Sequence, residues 1–351
     1  MSSVAKRESH LHGLLIVDKP GRSHSAQQDS SLRTERLLTS HDVVQRVRRW
    51  SQQRRIGHTG TLDPLASGVL VLCLGQATRL VEYYQGHAKQ YYAEIVLGAA
   101  TDTYDALGQI TQRSAIPDLD QACIESVLEK FRGEILQTPP IYSAIKQGGE
   151  SLHRKARRGE TVTLTPRPVN FYQLDFINYT SIGETDNREN RLVLRACCSA
   201  GGYIRSLAHD LGLALGTHGY LNVLRREQAG AFGLAEAYTF DEIEAASQDN
   251  KLADLLLPLG YGLQMPKLEI GEEIARRLGY GQRVPMKKQM ADPTEPLAQA
   301  VDSSGKTLGI IRCTHPVSLE KEVLAVAVEK ILADSDFTEQ GSVWKAEKWF
   351  Q

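Results

Sequence analysis

The sequence predicts an α+β fold in two domains, and the prediction rests on three kinds of hydrophobic pattern and on the length of the chain. An unbroken apolar run at residues 69–74 is bounded by glycines and is typical of a fully buried strand. Residues 89–98 alternate between apolar and polar, as a half-buried strand does. Helical spacing of apolar residues begins near Ser40 and again near Tyr203. With 351 residues, the chain is long enough for two domains and a sizeable core.

The composition is that of an ordinary globular protein, with 41% apolar and 24% charged residues. Because the formal net charge is −1, bulk charge does not favour nucleic-acid binding, so any RNA affinity must come from local patches. The five cysteines show no metal-binding spacing and are expected to be reduced. No apolar stretch reaches the roughly 18 residues of a membrane span and the N-terminus has no apolar signal core, so we expect a cytoplasmic location.

The N-terminal part of the chain is predicted to supply one strand and one helix. Residues 1–10 are polar and are expected to be disordered. A short apolar strand follows and stops at Pro20, and residues 22–38 form a polar insert. From Ser40 the pattern is helical, with Thr39 as the N-cap of a capping box. Five arginines lie on its polar face or directly after it: Arg46, Arg48, Arg49, Arg54 and Arg55. They form either a solvated face or a set of phosphate contacts.

A glycine-rich loop at residues 57–68 carries the most informative residue of the chain. It holds three glycines, two threonines, one histidine and a single carboxylate, Asp63. Because Asp63 precedes Pro64, its backbone is expected to be extended, which projects the side chain out of the loop. An aspartate in such a place is most often a turn residue. The alternative is a fixed carboxylate that does chemistry on the floor formed by the buried strand at 69–74.

The middle of the chain supplies one aromatic candidate and one basic patch. In the strand at 89–98, Tyr91 lies on the apolar face, where a tyrosine is most often a packed edge residue. After Pro117 the pattern is helical, with Asp118 as N-cap. Residues 146–167 hold six Lys or Arg against two Glu, which makes this segment the best candidate for an RNA-facing patch.

The last part of the chain is predicted to close one domain and form another. Residues 191–198 form a strand, and a helix begins near Tyr203 with Arg205 in its first turn, beside the buried stripe. A cation in that turn opposes the helix dipole unless a carboxylate answers it. Residues 241–257 are helical and 258–266 read as a linker.

Several of these segments, in this order, resemble the motifs of the TruB-type tRNA pseudouridine synthases. The loop Gly57-His58-Thr59-Gly60-Thr61-Leu62-Asp63-Pro64 is similar to the catalytic loop of that family. The other similar segments are Lys19-Pro20 with Thr39 to Asp42, Thr101 to Gly108, Thr138 to Lys146, Gly201 to Arg205 and Leu224 to Arg226. The insert at 22–38 separates the two halves of the opening motif, which is a departure from the family.

The resemblance implies a pseudouridine-synthase fold with a mixed, mostly antiparallel central sheet flanked by helices. It also implies a small C-terminal PUA-like β-barrel. Residues 11–257 would then form the catalytic domain and 267–334 a PUA-like RNA-binding domain, with strands at 308–313 and 323–328. Residues 335–351 are expected to be a polar tail.

The resemblance also implies roles for individual residues. The catalytic residues are Asp63 as nucleophile, Arg205 as the partner of that carboxylate, and Tyr91, which stacks on the target base and is a candidate proton acceptor. The residues expected to bind the substrate are His58, Tyr203, Leu224, Lys146, Arg157 and Arg158. A loop histidine is more often a structural hydrogen-bonding residue than a base, so His58 is placed in binding.

The implied reaction is isomerisation of uridine to pseudouridine at position 55 in the T-arm of tRNA, on a nucleotide flipped out of its stack. Because this reaction is redox-neutral, neither a metal nor a cofactor is expected. The T-arm stem-loop of tRNA is the expected partner, with no membrane and no obligate protein partner. Attack on the base, attack on the sugar and formation of a glycal all stay open.

Two other functions are compatible with parts of this sequence. A non-catalytic RNA-binding protein would lack the nucleophile or its arginine partner, whereas both Asp63 and Arg205 are present. A glycoside-type hydrolase needs a second carboxylate in a matching motif, and the catalytic loop has only Asp63.

Overall fold

The computed structural model describes residues 11–22, 37–143, 146–147, 150–151, 158, 164–182, 189–287, 296–316 and 341–350. Several sequence predictions lie outside these residues: the tail at 1–10, nearly all of the insert, Arg157, and the strand at 323–328. None of the described helices combines the length and the apolarity that a membrane span requires.

The described residues form eighteen strands and six α-helices. The strands are β1 Gly13–Lys19, β2 Ile56–His58, β3 Ser67–Leu74, β4 Lys89–Leu97, β5 Ala99–Thr101, β6 Ile110–Arg113, β7 Gly133–Gln137, β8 Lys146–Gln147, β9 Glu150–Ser151, β10 Arg167–Ile182, β11 Glu189–Cys198, β12 Gly219–Ala229, β13 Phe232–Gly233, β14 Lys267–Glu269, β15 Val284–Lys287, β16 Leu297–Val301, β17 Thr307–Pro316 and β18 Gly341–Trp349. The helices are α1 Ser40–Ser51, α2 Val81–Gln85, α3 Gln121–Leu128, α4 Ile204–Ala214, α5 Phe240–Gln248 and α6 Glu272–Gly279.

A nine-stranded sheet forms the centre of the fold. Its main path runs β1-β3-β12-β4-β11-β10-β7, with β2 beside β3 and β13 beside β12. The β3–β12 pair is parallel, and the other pairs are antiparallel. The prediction of a mixed, mostly antiparallel central sheet is therefore confirmed.

Strand β3 is buried along its whole length, as its apolar run predicts. Alternate side chains point to opposite faces of a strand. Leu70 and Leu72 therefore belong to the core that also contains Val47 of α1, whereas Val69 and Val71 belong to a second core on the other face. Burial on both faces, at about 1.5–3 kcal/mol for each large side chain, makes β3 a rigid support for the loop that precedes it.

Helix α1 begins as the sequence predicts. The Thr39 hydroxyl accepts from the backbone N–H of Asp42 at 3.1 Å, and the Asp42 carboxylate accepts from the backbone N–H of Thr39 at 2.9 Å. This reciprocal capping box satisfies donors that a helix start otherwise leaves unpaired. It fixes the position of Ser40, whose contact with the glycine-rich loop is described below.

Two helix predictions are corrected. Helix α3 begins after Asp120 rather than Asp118, because the Asp120 carboxylate accepts from the backbone N–H of Cys123 at 2.7 Å. Residues 241–257 do not form one helix. Helix α5 ends at Gln248, and Asn250 then adopts a left-handed backbone with φ of 58°, which a continuous helix does not allow.

The C-terminal part of the chain is a small β domain, as predicted. The described residues of this domain form five strands in the order β14-β16-β17-β18-β15, and helix α6 contacts β15 and β18. Its own core contains Leu278 of α6, Val284 of β15 and Trp344 of β18.

The prediction of a polar tail at 335–351 is wrong for residues 341–349, which form strand β18 within this sheet. Trp344 and Ala346 alternate with Lys345 and Glu347, so the signal was a short alternation of apolar and polar residues. The strand also forms a hydrogen bond with the N-terminal part of the chain. The carbonyl oxygen of Trp349 accepts from Arg79 at 2.6 Å.

Candidate active site

A cleft of about 310 Å³ lies beside Asp63. It forms where β4 begins and β11 and β12 end, because the antiparallel register brings these three strand ends together. We call it the Asp63 cleft. Its wall includes Asp63, Tyr91, Tyr203, Arg205, Leu224 and Arg226.

A buried lysine supports the loop that carries Asp63. The Lys19 ammonium donates to the carbonyl oxygens of Pro20 at 3.0 Å, Pro64 at 3.1 Å and Ala66 at 2.6 Å. All three of its donors are therefore used. Burial lowers the pKa of Lys19 to about 8, against the opposing effect of the Asp63 charge. Lys19 thus ties strand β1 to the residues that follow Asp63.

A buried arginine supports the other side of the same loop. The Arg226 guanidinium donates to the carbonyl oxygens of Val69 at 2.7 Å, Gly60 at 3.2 Å and Thr61 at 3.4 Å. Gly68 has φ of +97°, and a Cβ there would lie 2.2 Å from the carbonyl oxygen of Arg226. Only glycine permits this close approach of the loop to β12.

Arg205 holds Asp63 by a forked contact. Its Nε donates to Oδ2 of Asp63 at 2.9 Å and its Nη2 to Oδ1 at 3.0 Å. Arg205 Nη2 also donates to the carbonyl oxygen of Tyr142 at 3.0 Å. The side chain of Arg205 is 6% exposed and that of Asp63 is 30% exposed. The guanidinium therefore lies behind the carboxylate, which faces the cleft.

The burial of Arg205 corrects one sequence expectation. The helical pattern placed this residue beside the buried stripe of α4, but the first turn of the helix is buried all round, at Ile204, Arg205 and Ser206. The reason is tertiary: segments near Tyr142 and Thr103 cover the side of the turn that the helix itself leaves open. The carboxylate that the sequence analysis expected beside this cation is present, because Asp63 pairs with Arg205 and offsets its unfavourable interaction with the helix dipole.

A second carboxylate lies behind Arg205. Asp105 Oδ2 is 3.8 Å from Arg205 Nε. The other oxygen of Asp105 accepts from the Thr103 hydroxyl at 2.7 Å and from the backbone N–H of Leu107 at 3.0 Å. Burial raises the pKa of Asp105 above its usual range. This carboxylate therefore acts first as a hydrogen-bond acceptor within its own loop.

Tyr91 and Leu224 form the apolar part of the cleft wall. Tyr91 lies opposite Ala196 of β11 and Arg226 of β12 in the sheet, and Leu224 is buried two residues before Arg226. Burial raises the pKa of Tyr91, so its phenol is neutral near pH 7. A neutral aromatic ring in a cleft is suited to stacking against a flat, uncharged base.

Tyr203 lies at the start of α4, on the same cleft. Its backbone is fixed by the amide of Gln137, which accepts from the N–H of Tyr203 at 2.8 Å and donates to its carbonyl oxygen at 3.0 Å. Five predicted site residues thus share one cleft: Asp63, Tyr91, Tyr203, Arg205 and Leu224.

Of the remaining predicted residues, His58 and Arg158 are described and do not belong to the wall of this cleft. His58 lies in β2 opposite Leu72 of β3, and burial lowers its pKa, which favours the uncharged ring. Lys146 begins β8, and Arg158 is exposed. Arg157 lies outside the described residues. The binding roles of these four residues remain predictions.

Sequence reasoning missed Lys19 and Arg226 as supports of the loop. Both lie in segments that carry the resemblance, Lys19-Pro20 and Leu224 to Arg226, and this position was the available signal. Both side chains bind backbone carbonyl oxygens. Because every residue has a carbonyl oxygen, the sequence does not show which residues are the partners.

Solved structures share this fold. A chain from "Crystal Structure of a Cbf5-Nop10-Gar1 Complex" matches with a TM-score of 0.64 and 22% identity, over 98% of this chain and 86% of that chain. A chain from "Structure of H/ACA RNP bound to a substrate RNA containing 2'-deoxyuridine" matches with a TM-score of 0.64 and 20% identity, over 100% of this chain and 88% of that chain. At such identity these matches establish the fold.

Sequence comparison identifies the family of the chain. The profile described as "TruB family pseudouridylate synthase (N terminal domain)" matches residues 48–204, and "tRNA pseudouridylate synthase B C-terminal domain" matches residues 205–264. The chain belongs to the TruB family of pseudouridylate synthases.

Two curated relatives illustrate how far the similarity extends. A protein of Oceanobacillus iheyensis named "tRNA pseudouridine synthase B" is 36% identical over 91% of this chain and 99% of its own length. One of the same name from Xanthomonas campestris is 38% identical over 86% of this chain and 89% of its own.

Proposed function

We propose that this protein isomerises uridine to pseudouridine at position 55 in the T-arm of tRNA, with Asp63 as the nucleophile. The observation that carries the proposal is the forked Arg205–Asp63 contact, which presents one oriented carboxylate to a cleft. The name that both relatives share, tRNA pseudouridine synthase B, supports tRNA as the substrate.

Arg205 has two tasks in this proposal. Its charge balances the carboxylate of Asp63, and its fork fixes the direction in which the carboxylate points. The guanidinium is itself held by the carbonyl oxygen of Tyr142 at 3.0 Å. A nucleophile that is already oriented does not have to lose this freedom in the transition state.

The substrate base must leave its stack to reach Asp63. In the proposed reaction the bond between the sugar and N1 breaks, the base turns while it stays in the cleft, and a bond forms from the sugar to C5. The proton on C5 then leaves to an acceptor, and N1, which keeps the electron pair of the broken bond, takes up a proton. Tyr91 receives the base on its ring, and because burial raises its pKa, a stacking role fits its neutral phenol better than a role as the acceptor.

The domain roles are part of the same proposal. Residues 11–257 form the catalytic domain, and 258–266 link it to a PUA-like RNA-binding domain that begins at 267. Strand β18 belongs to the sheet of this second domain, so the domain extends beyond the predicted limit at 334.

The direct test is to incubate the pure protein with a T-arm stem-loop RNA and map pseudouridine chemically at single-nucleotide resolution. We expect one modified position, at the uridine corresponding to position 55, and none in a control RNA with cytidine there. Pseudouridine elsewhere in the loop would refute the position, and no pseudouridine would refute the activity. Release of free uracil would instead support the glycoside-hydrolase alternative.

A further inference from the structure

Lys89 lies in the Asp63 cleft, and within the described part of the chain it forms no ion pair with a carboxylate. Lys89 is the first residue of β4 and lies two positions before Tyr91, so both side chains point to the same face of the sheet. Both contribute to the wall of the cleft. In the sheet, Lys89 is opposite Cys198 of β11 and Ala229 of β12.

The hydrogen bonds of Lys89 leave one of its donors available. Its ammonium donates to the carbonyl oxygens of Gln85 and His87, both at 2.6 Å. An ammonium has three donors, so these two bonds do not exhaust it. Among the described residues, no carboxylate forms an ion pair with Lys89. Burial, and then the charge of Arg226, lower the pKa of Lys89 to about 8.

Among the described residues, the carboxylates near the cleft pair with Arg205 alone. Asp63 forms the forked contact with Arg205 and Asp105 lies 3.8 Å behind it, whereas the hydrogen bonds of Arg226 and Lys89 go to uncharged carbonyl oxygens. Arg226 is buried, and its guanidinium binds the carbonyl oxygens of the loop, so it is not accessible to a ligand in the cleft. Lys89 is only half-buried and faces the cleft. It is therefore the cation that an incoming anion reaches.

An RNA substrate brings an anion to this place. The uracil base is uncharged, but each nucleotide is joined to its neighbours by two phosphodiesters, and phosphate contacts from Lys and Arg position nucleic acids on proteins. We propose that Lys89 binds a phosphodiester that flanks the target uridine and so positions the flipped nucleotide over Asp63. This inference rests on the proposed function, because it takes RNA as the ligand of the cleft.

A purely structural role for Lys89 is the alternative. Its two bonds go to carbonyl oxygens at and just after the C-terminus of α2, where a cation also interacts favourably with the helix dipole. Such a role explains the two bonds but requires nothing of the RNA. A test must therefore change the RNA as well as the protein.

The test is a double-mutant cycle between Lys89→Gln and an RNA in which one phosphodiester is replaced by an uncharged methylphosphonate. The linkages 5′ and 3′ of the target uridine are replaced one at a time, and the Kd is measured for each combination. If Lys89 binds one of them, each single change weakens binding about tenfold, as for a charge-assisted hydrogen bond, and the two changes together cost no more than one. Lys251→Gln is the matched control, because that lysine is exposed and paired with Asp249. Its effect on the Kd should simply add to the effect of each methylphosphonate, with no coupling between the two changes.

Additive losses at both linkages would overturn the inference. So would wild-type protein that binds both neutral RNAs as tightly as the unmodified one, a measurement that does not depend on how the variant folds. Lys89→Arg, which keeps the charge, should retain most of the affinity if the variant with Gln loses it. The activity is scored separately on unmodified RNA. A coupled cycle without pseudouridine would refute the proposed function and leave the phosphate contact standing.

Discussion

The Ser40 side chain forms two hydrogen bonds with the backbone of Leu62, the residue that directly precedes Asp63. The Ser40 hydroxyl accepts from the backbone N–H of Leu62 at 2.8 Å and donates to the carbonyl oxygen of Leu62 at 3.1 Å. Ser40 is the first residue of α1, which the capping box at Thr39 fixes. The start of a helix thus holds the backbone one residue away from the proposed nucleophile.

We predict that Ser40→Ala is destabilising and slows the reaction. The change leaves the buried amide of Leu62 without a partner, which costs about 1–3 kcal/mol. It also frees the backbone next to Asp63, so the single-turnover rate should fall while RNA affinity is kept. Ser51→Ala, at the other end of α1, is the control. The Ser51 hydroxyl donates to the carbonyl oxygen of Val47, four residues earlier in the same helix, so its loss should leave the rate unchanged. Equal rates for both variants and wild type would contradict this account.

We predict that Arg205→Lys lowers the rate of pseudouridine formation by about 100-fold or more, because lysine cannot reproduce the fork that orients Asp63. The variant should also be less stable, by about 1–3 kcal/mol, since Arg205 is buried and the carbonyl oxygen of Tyr142 loses its donor. Arg225→Lys is the control, because Arg225 pairs with Asp18 away from the cleft. A rate near wild type for Arg205→Lys would show that the fork does not govern the reaction.

The Asp105 loop contains a strained residue with a stacking partner. Tyr104 has a left-handed backbone with φ of 61°, and its ring stacks on His209 at a centroid distance of 4.0 Å. Both Tyr104→Gly and Tyr104→Ala lose the stack, but only glycine adopts this backbone without strain.

We therefore predict that Tyr104→Gly is more stable than Tyr104→Ala by about 1 kcal/mol, measured by chemical unfolding. Tyr280 is the control, because it is 78% exposed and its φ of −82° suits any residue. There the alanine variant should be at least as stable as the glycine variant. A Tyr104→Ala variant as stable as Tyr104→Gly would mean that the positive φ is not maintained in solution.

Asp210 makes a pH-dependent contribution to stability. Burial raises its pKa from 3.8 to about 6. Between these values the folded protein binds more protons at Asp210 than the unfolded chain does. The free energy of unfolding therefore falls as the pH rises from about 4 to about 6, and the full destabilisation by the buried carboxylate is present above about pH 6.

We predict that Asp210→Asn stabilises the protein at about pH 8 and has little effect at about pH 4. Because the side chain is only half-buried, the gain should not exceed about 1 kcal/mol after allowance for solvent screening. Asp249→Asn, at an exposed position, should show no comparable dependence on pH. A gain that is the same at both pH values would contradict the assigned cause.

The sequence predicts those parts of this fold that local patterns encode. The apolar run of β3 and the capping box of α1 are such patterns, and both predictions are confirmed. The burial of Arg205 is not local, because it depends on a loop 142 positions away in the chain and on segments near Thr103 and Tyr142. For the same reason the carbonyl contacts of Lys19 and Arg226 have no sequence signature. Their pairing partners are backbone atoms, which every residue has.

The central claim is that Asp63 is the nucleophile, and Asp63→Asn tests it most directly. The amide keeps the shape of the side chain but loses its nucleophilicity, so the variant should bind T-arm RNA like wild type. In single-turnover experiments its rate of pseudouridine formation should fall by at least about 1,000-fold. Asp102→Asn, in the exposed part of the neighbouring loop, should keep the wild-type rate. An Asp63→Asn variant that retains more than about one per cent of the wild-type rate would contradict the claim.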